Sequence, residues 1–232
     1  MLLSTYRVKL LAAPPLPSAE EEDVIICPGL AGLPRHGLEV AALLPISGIN
    51  DRALSLLEIG DQLPDASQGR ELWSSKTTLA LMMADPFLRA QSLFEPLRHQ
   101  KIQRITNYPT IQLHDGDSTR GFESASLGLT REVEIMAAFC EAGFSGTAFV
   151  TSLNAARLML QAGADTLILH PGLYLRDWRV RATSAKLIDQ ILRSLRLDEN
   201  HKKQILIMRP DGYGTELDTV FTQADGIVEF GF

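Results

Sequence analysis

The feature that most constrains this chain is a series of short apolar runs, each stopped by Gly, Pro, Asn or a polar residue and then followed by a helical pattern. VIIC at 24–27 ends in Pro28-Gly29, TTLALMM at 77–83 in Ala84-Asp85-Pro86, and IQRIT at 102–106 in Asn107-Tyr108-Pro109. GTAFV at 146–150 ends in Thr151-Ser152, TLILH at 166–170 in Pro171-Gly172, and QILIM at 204–208 in Arg209-Pro210-Asp211-Gly212. YRVKLLA at 6–12 and GIVEF at 226–230 complete the set. The runs are continuous rather than alternating, as in parallel strands buried on both faces. Between them, Leu129, Val133, Met136 and Cys140 recur at helical spacing before Gly143. Ser152 reads as the cap of a helix that buries Leu153, Ala156 and Leu160, and Ser184, Ile188, Ile191 and Leu195 share one face of another. Asp85-Pro86 reads as a cap and first-turn proline leading to Arg98, and Thr215 with Asp218 as a further helix start.

Seven or eight strand–helix units in 232 residues leave two architectures, a closed (β/α)8 barrel or an open doubly wound sheet. Neither GxGxxG nor the P-loop pattern is present, which removes the commonest reason for the open sheet. The expected fold is therefore a single TIM-barrel domain over 1–232. PPLPSAEEED at 14–23 has no apolar periodicity, and GIVEF lies two residues from Phe232. The first and last helices are thus expected to be missing or vestigial. The consequence expected is an apolar flank over strands 8, 1 and 2, covered by a second copy or a partner protein.

Lys plus Arg is 22 and Asp plus Glu is 28, a net charge of -6 that argues against nucleic acid or anionic membrane as the main partner. Cys27 and Cys140 have no metal-ligand or CxxC spacing and read as reduced thiols. Arg7 and Lys9 interrupt the leading apolar residues, unlike a secretory signal, and no run reaches the ~18 apolar residues of a membrane span. A cytoplasmic location is the expectation.

In a barrel, chemistry sits at the C-terminal strand ends, which nominates Cys27, Asp85, Asn107, Thr151, His170, Arg209, Asp211 and Glu229. Each has a structural reading beside the functional one. Asp85 caps the helix behind Pro86, or serves catalysis or a metal. His170 is a buried structural histidine, or a general acid/base. Cys27 is a small core thiol, or touches substrate. Arg209 pairs within its turn with Asp211, or holds a carboxylate or phosphate. Glu229, near the end of a buried strand, needs a partner, and Arg209 on the adjacent strand is the obvious one. The long connection 108–128, with Asp115 and Glu123, reads as a lid expected to bring one of these carboxylates to His170.

The segments ADPF at 84–87, NYPTIQLHDG at 107–116, the Glu and Gly of ESASLG at 123–128, REVEIM at 131–136, AGADTLILHPGL at 162–173 and LEVAALLP at 38–45 carry a resemblance. Together they resemble the predicted TIM-barrel signal transduction family, whose members are called phosphoenolpyruvate hydrolase-like. That family is similar to the phosphoenolpyruvate mutase/isocitrate lyase superfamily. The resemblance implies a lyase or hydrolase that cleaves C–C or P–C bonds of a small anionic α-oxo acid or enol phosphate through a metal-stabilised enolate. It implies Mg²⁺, for which Asp85 and Glu229 are the candidate ligands. His170, Asp85, Asn107 and Glu123 are the catalytic candidates. Arg209, Asp211, Asp115 and Cys27 are the substrate-binding candidates. Where the family has a histidine and two glycines after strand 7, this chain has Met208-Arg209-Pro210-Asp211-Gly212. That departure keeps a second reading open, a non-catalytic barrel that binds a ligand or a protein.

Overall fold

The computed structural model describes residues 6–13, 23–34, 38–43, 48–59, 73–197 and 203–231. Eight parallel strands close in sequence order into a barrel: β1 (Tyr6–Leu11), β2 (Val24–Ile26), β3 (Thr77–Ala80), β4 (Arg104–Thr106), β5 (Ser145–Val150), β6 (Thr166–Leu169), β7 (Gln204–Arg209) and β8 (Gly226–Phe230). Around it run α1 (Leu38–Leu43), α2 (Asp51–Ile59), α3 (Ala90–His99), α4 (Gly116–Ser124), α5 (Leu129–Glu141), α6 (Leu153–Gln161), α7 (Trp178–Leu197) and α8 (Asp218–Phe221). This is the (β/α)8 barrel that the run-and-helix pattern leads one to expect.

The continuous apolar runs divide by alternate residue into two cores. Ile26, Leu79, Ile105, Ala148, Val150, Leu167, Leu169, Ile205, Ile207 and Ile227 point outward under the helices. Val8, Leu10, Ile25, Cys27, Ala80, Phe149, Ile168, Leu206, Met208 and Val228 fill the barrel. Both strand faces are apolar because both are covered. α5 packs closely on β5 at Gly146, where a Cβ would lie 2.8 Å from both Cys140 Sγ and Met136 Sδ. Only glycine lets α5 settle that deeply on β5.

Several local expectations change. α3 starts at Ala90, five residues after Asp85, and has no side-chain cap. Asp85 instead accepts the Phe87 N–H at 2.8 Å, a tight Asx turn rather than a helix cap. α8 begins at Asp218 behind Leu217, so Thr215 is not its cap. α7 begins at Trp178, six residues before Ser184, the first residue of the stripe that marks it in the sequence.

The connection 14–22, where the first helix was expected to be missing or vestigial, and Phe232 lie outside the described residues. On the outer side of β7, β8 and β1 the apolar Ile205, Ile207 and Ile227 are joined by a charged row at the strand ends. Register places Lys9 beside Glu229 and Glu229 beside Arg209, all on the outward set. Lys9 Nζ meets Glu229 Oε1 at 2.6 Å, with Arg7 at 3.4 Å and Arg209 at 3.9 Å. These partners hold the Glu229 carboxyl below its ordinary range, the Lys9 hydrogen bond most strongly.

Candidate functional site

At the C-terminal end of the barrel the polar side chains form two separate networks. The first is a frame. Asn107, after β4, accepts the Phe149 N–H at 2.7 Å and donates to the Phe149 carbonyl at 3.0 Å. Its amide also donates to Glu132 Oε2 at 3.0 Å. Asn107 therefore extends the β4–β5 pairing with a side chain where the backbone ladder ends. Glu132, on the buried face of α5, takes further bonds from the Thr110 hydroxyl, the Ile111 N–H and the Gln112 amide, at 2.8, 2.8 and 3.0 Å. Burial pushes this carboxyl up while the four donors pull it back. The turn carries a cis Tyr108–Pro109 peptide.

Asn50 repeats the device one crossover earlier. It accepts the Met82 N–H at 2.9 Å and donates to the Met82 carbonyl at 3.1 Å and to Asp85 Oδ2 at 2.8 Å. Arg131, next to Glu132 on α5, donates through Nε and Nη2 to the Asp85 carbonyl and through Nη2 to the Leu88 carbonyl. α5 thus clamps the ends of β3 and β4 with one cation and one carboxylate.

The second network is buried inside the mouth. Glu39 on α1 reaches over the barrel to His170, its Oε1 lying 2.7 Å from Nε2. His170 is 1% exposed and Glu39 8%. The Gly172 N–H donates to Nδ1 of His170 at 3.1 Å, so Nδ1 is the acceptor and Nε2 carries the proton given to Glu39. The Tyr108 hydroxyl donates to the same Glu39 oxygen at 3.4 Å. Cys27 Sγ contacts the Tyr108 carbonyl at 3.7 Å. Burial pushes the Cys27 thiol up to about 12 and, with Glu39 nearby, raises the Tyr108 phenol.

The structure therefore brings His170, Cys27, Asp85 and Asn107 to the expected end and separates the rest. Asp85 and Asn107 hold loops. Glu229 and Arg209 point out of the barrel, which corrects their placement at the mouth. The expected Arg209–Glu229 pair exists, but on the outer flank, where Arg209 also stacks 4.4 Å over Phe221. Asp211 is exposed in the turn after β7, and Asp115 is exposed at the start of α4. Glu123 accepts the Leu129 N–H at 2.7 Å and so caps α5. The segment 108–128 is a 3-10 turn (Ile111–Leu113) and α4, and neither Asp115 nor Glu123 is a bonding partner of His170. Thr151 binds Gln112 through its N–H and hydroxyl.

Mg²⁺ does not fit the proposed pair, because Asp85 is bound to Asn50 at the mouth and Glu229 to Lys9 outside. Among the described residues no group of three His, Cys, Asp or Glu side chains could hold a metal ion. Glu39, Glu132, Asn50 and Arg131 are polar groups that the sequence pattern did not single out. The signal for Glu132 was its position three residues after Leu129 and four before Met136, on the buried stripe.

These two networks use the segments that carried the resemblance: ADPF, NYPTIQ and REVEIM build the frame, and LEVAALLP, NYP and LHPG supply Glu39, Tyr108 and His170. A family model described as phosphoenolpyruvate hydrolase-like matches residues 39–212. The chain belongs to this phosphoenolpyruvate hydrolase-like family. It is 28% identical over 154 residues to the uncharacterized protein y4oT of Sinorhizobium fredii, covering 66% of this chain and 74% of that one. It is 29% identical over 134 residues to the ToMV resistance protein Tm-1(GCR237) of Solanum lycopersicum, covering 58% of this chain but 17% of the tomato protein. Among solved structures, dihydropteroate synthase from Thermus thermophilus (TM-score 0.46, 13% identity, 97% of this chain and 88% of that one) is similar. So is a putative phosphonomutase from Burkholderia cenocepacia (TM-score 0.42, 12% identity, 90% and 77%). No helix among the described residues is long and apolar enough to cross a membrane.

Proposed function

We propose that this phosphoenolpyruvate hydrolase-like barrel is an enzyme of the lyase or hydrolase type that performs acid–base chemistry on a small α-oxo acid or its enol form, with Glu39 as the proton carrier. The observation that carries this reading is the 2.7 Å contact of Glu39 with His170 inside the mouth. Burying a carboxylate costs several kcal/mol unless it is bonded, and a hydrophobic replacement would stabilise the barrel at least as well. The fold keeps it where barrel enzymes place their chemistry. His170 is a positioning residue: fixed by the Gly172 N–H, it offers Nε2–H and orients the carboxylate. Glu39, held in place by the Tyr108 hydroxyl and His170, would take and return the proton beside the substrate carbonyl. Asp85, Asn107 and Arg131 hold the strand ends around the mouth. Cys27, with its thiol pushed up, serves as packing and not as a nucleophile.

A second reading, a ligand-binding barrel without turnover, is favoured by Arg209 facing outward and by Asp85 and Asn107 being committed to the frame. One experiment separates the two. The purified chain is screened with phosphoenolpyruvate, oxaloacetate and related oxo acids, following pyruvate and phosphate release. Glu39→Gln is expected to lower kcat by about 100-fold or more with an unchanged circular-dichroism spectrum. Binding without turnover supports the second reading. Equal turnover by wild type and Glu39→Gln removes Glu39 from the chemistry.

A further inference from the structure

The end of the barrel opposite Glu39 carries a cavity of about 300 Å³. Above it the barrel interior is apolar, as expected of a packed core. At the N-terminal end, the inward positions become Tyr6, Thr78, Arg104, Thr147, Thr166 and Gln204, and Gly226 adds no side chain. Asp23 and Asp165, just before β2 and β6, stand at opposite sides of the eight-strand ring. Arg104 Nη1 is fixed by Asp23 Oδ1 at 2.6 Å, and the Tyr6 hydroxyl bonds the same carboxylate. Asp165 takes the Ser145 and Thr166 hydroxyls at 2.7 and 3.1 Å. One inward step above Arg104, the hydroxyl of Thr106 is fully buried with no hydrogen-bond partner among the described residues, and its register partner Thr147 lines the cavity.

We propose that this cavity binds a small neutral polyhydroxylated molecule, a sugar or polyol, independently of the chemistry at the mouth. The lining mixes acceptors (Asp23, Asp165), a donor (Arg104) and groups that do both (Thr78, Thr147, the Gln204 amide). That mixture suits hydroxyls, which donate and accept at once. One cation against two carboxylates leaves a net negative charge, which disfavours a phosphate or carboxylate. The Tyr6 ring offers a flat apolar wall for the C–H face of a sugar. A cavity of this size holds about ten waters at ~30 Å³ each, or a hexose with a few waters.

The full chain is titrated by saturation-transfer NMR and calorimetry with ribose, glucose, glycerol and, as an anion control, inorganic phosphate. The result expected is saturable binding of at least one polyol. Thr147→Val, which keeps shape and removes one hydroxyl, weakens it about five- to tenfold. Gln204→Leu at the exposed rim does the same without touching the core, and Glu39→Gln leaves it unchanged. Absence of saturable polyol binding, binding of phosphate alone, or polyol binding indifferent to both Thr147→Val and Gln204→Leu would each overturn the proposal.

Discussion

Asn107 shows how a residue at a catalytic address does structural work. Its amide satisfies both backbone groups of Phe149 and one oxygen of a buried carboxylate. Asn107→Ala leaves three buried groups without that partner and is expected to cost about 3 kcal/mol in chemical denaturation. Asn107→Asp should cost at least as much at neutral pH, because it sets a second carboxylate against Glu132, and should recover part of the loss in acid. An Asn107→Ala protein of wild-type stability would show the bracket to be incidental. The two thiols give a second test at this scale. Burial pushes Cys140 up to about 11 and Cys27 to about 12. A thiol reagent at pH 8 is expected to label half-buried Cys140 slowly, and Cys27 only on unfolding; rapid labelling of Cys27 in the folded chain would contradict its role as packing. The addresses of His170, Asp85, Asn107 and Cys27 were legible because strand ends are marked by Gly, Pro and Asn. Their jobs were not, because a hydrogen-bond partner 25 residues away, as Glu132 is from Asn107, leaves no mark beside the residue it binds.

Among the elements, the strands were the most legible and their facing the least. GIVEF at 226–230 and QILIM at 204–208 lie within β8 and β7, yet the outward turn of Glu229 and Arg209 was not foreseen. When both faces are buried, the period-2 pattern disappears, and only the register with neighbouring strands tells inside from outside. Helices reveal their buried stripe more readily, which is why α5, α6 and the body of α7 were expected near their observed positions. The charged row on β1, β8 and β7 has a pH signature. Glu229 has its pKa lowered from an ordinary value of 4.5 in the folded chain. Its contribution is therefore complete above pH 4.5 and is lost as pH falls through the lower folded value. Wild-type stability is expected to drop over that window more steeply than that of Glu229→Gln, measured by urea unfolding at a series of pH values. Parallel slopes would mean that the row of charges is solvated and contributes nothing.

For the whole molecule, the ring closes where the first and last strands meet, in register from Tyr6 beside Gly226 to Leu10 beside Phe230. Gly226 permits this seam, since a Cβ there would stand 2.6 Å from the Tyr6 carbonyl oxygen. β8 brings few polar contacts of its own except Glu229, but it separates two otherwise open edges, β7 and β1. Open parallel edges present rows of unpaired N–H and C=O groups beside apolar side chains, the combination that leads chains to aggregate. Contacts between β1 and β8 also span the greatest sequence separation in the fold, so they carry the largest loop-closure cost and make the barrel all-or-none. Deletion of residues 226–232 is therefore expected to abolish the single cooperative thermal transition, rather than merely lower its midpoint, and to move the protein into aggregate on size-exclusion chromatography. Gly226→Ala, which keeps the strand but crowds the seam, is expected to retain a cooperative transition at a lower midpoint. A truncated chain that still melts cooperatively as a monomer would show that seven strands suffice, and that closure is not what unites the mouth with the polar cavity below it.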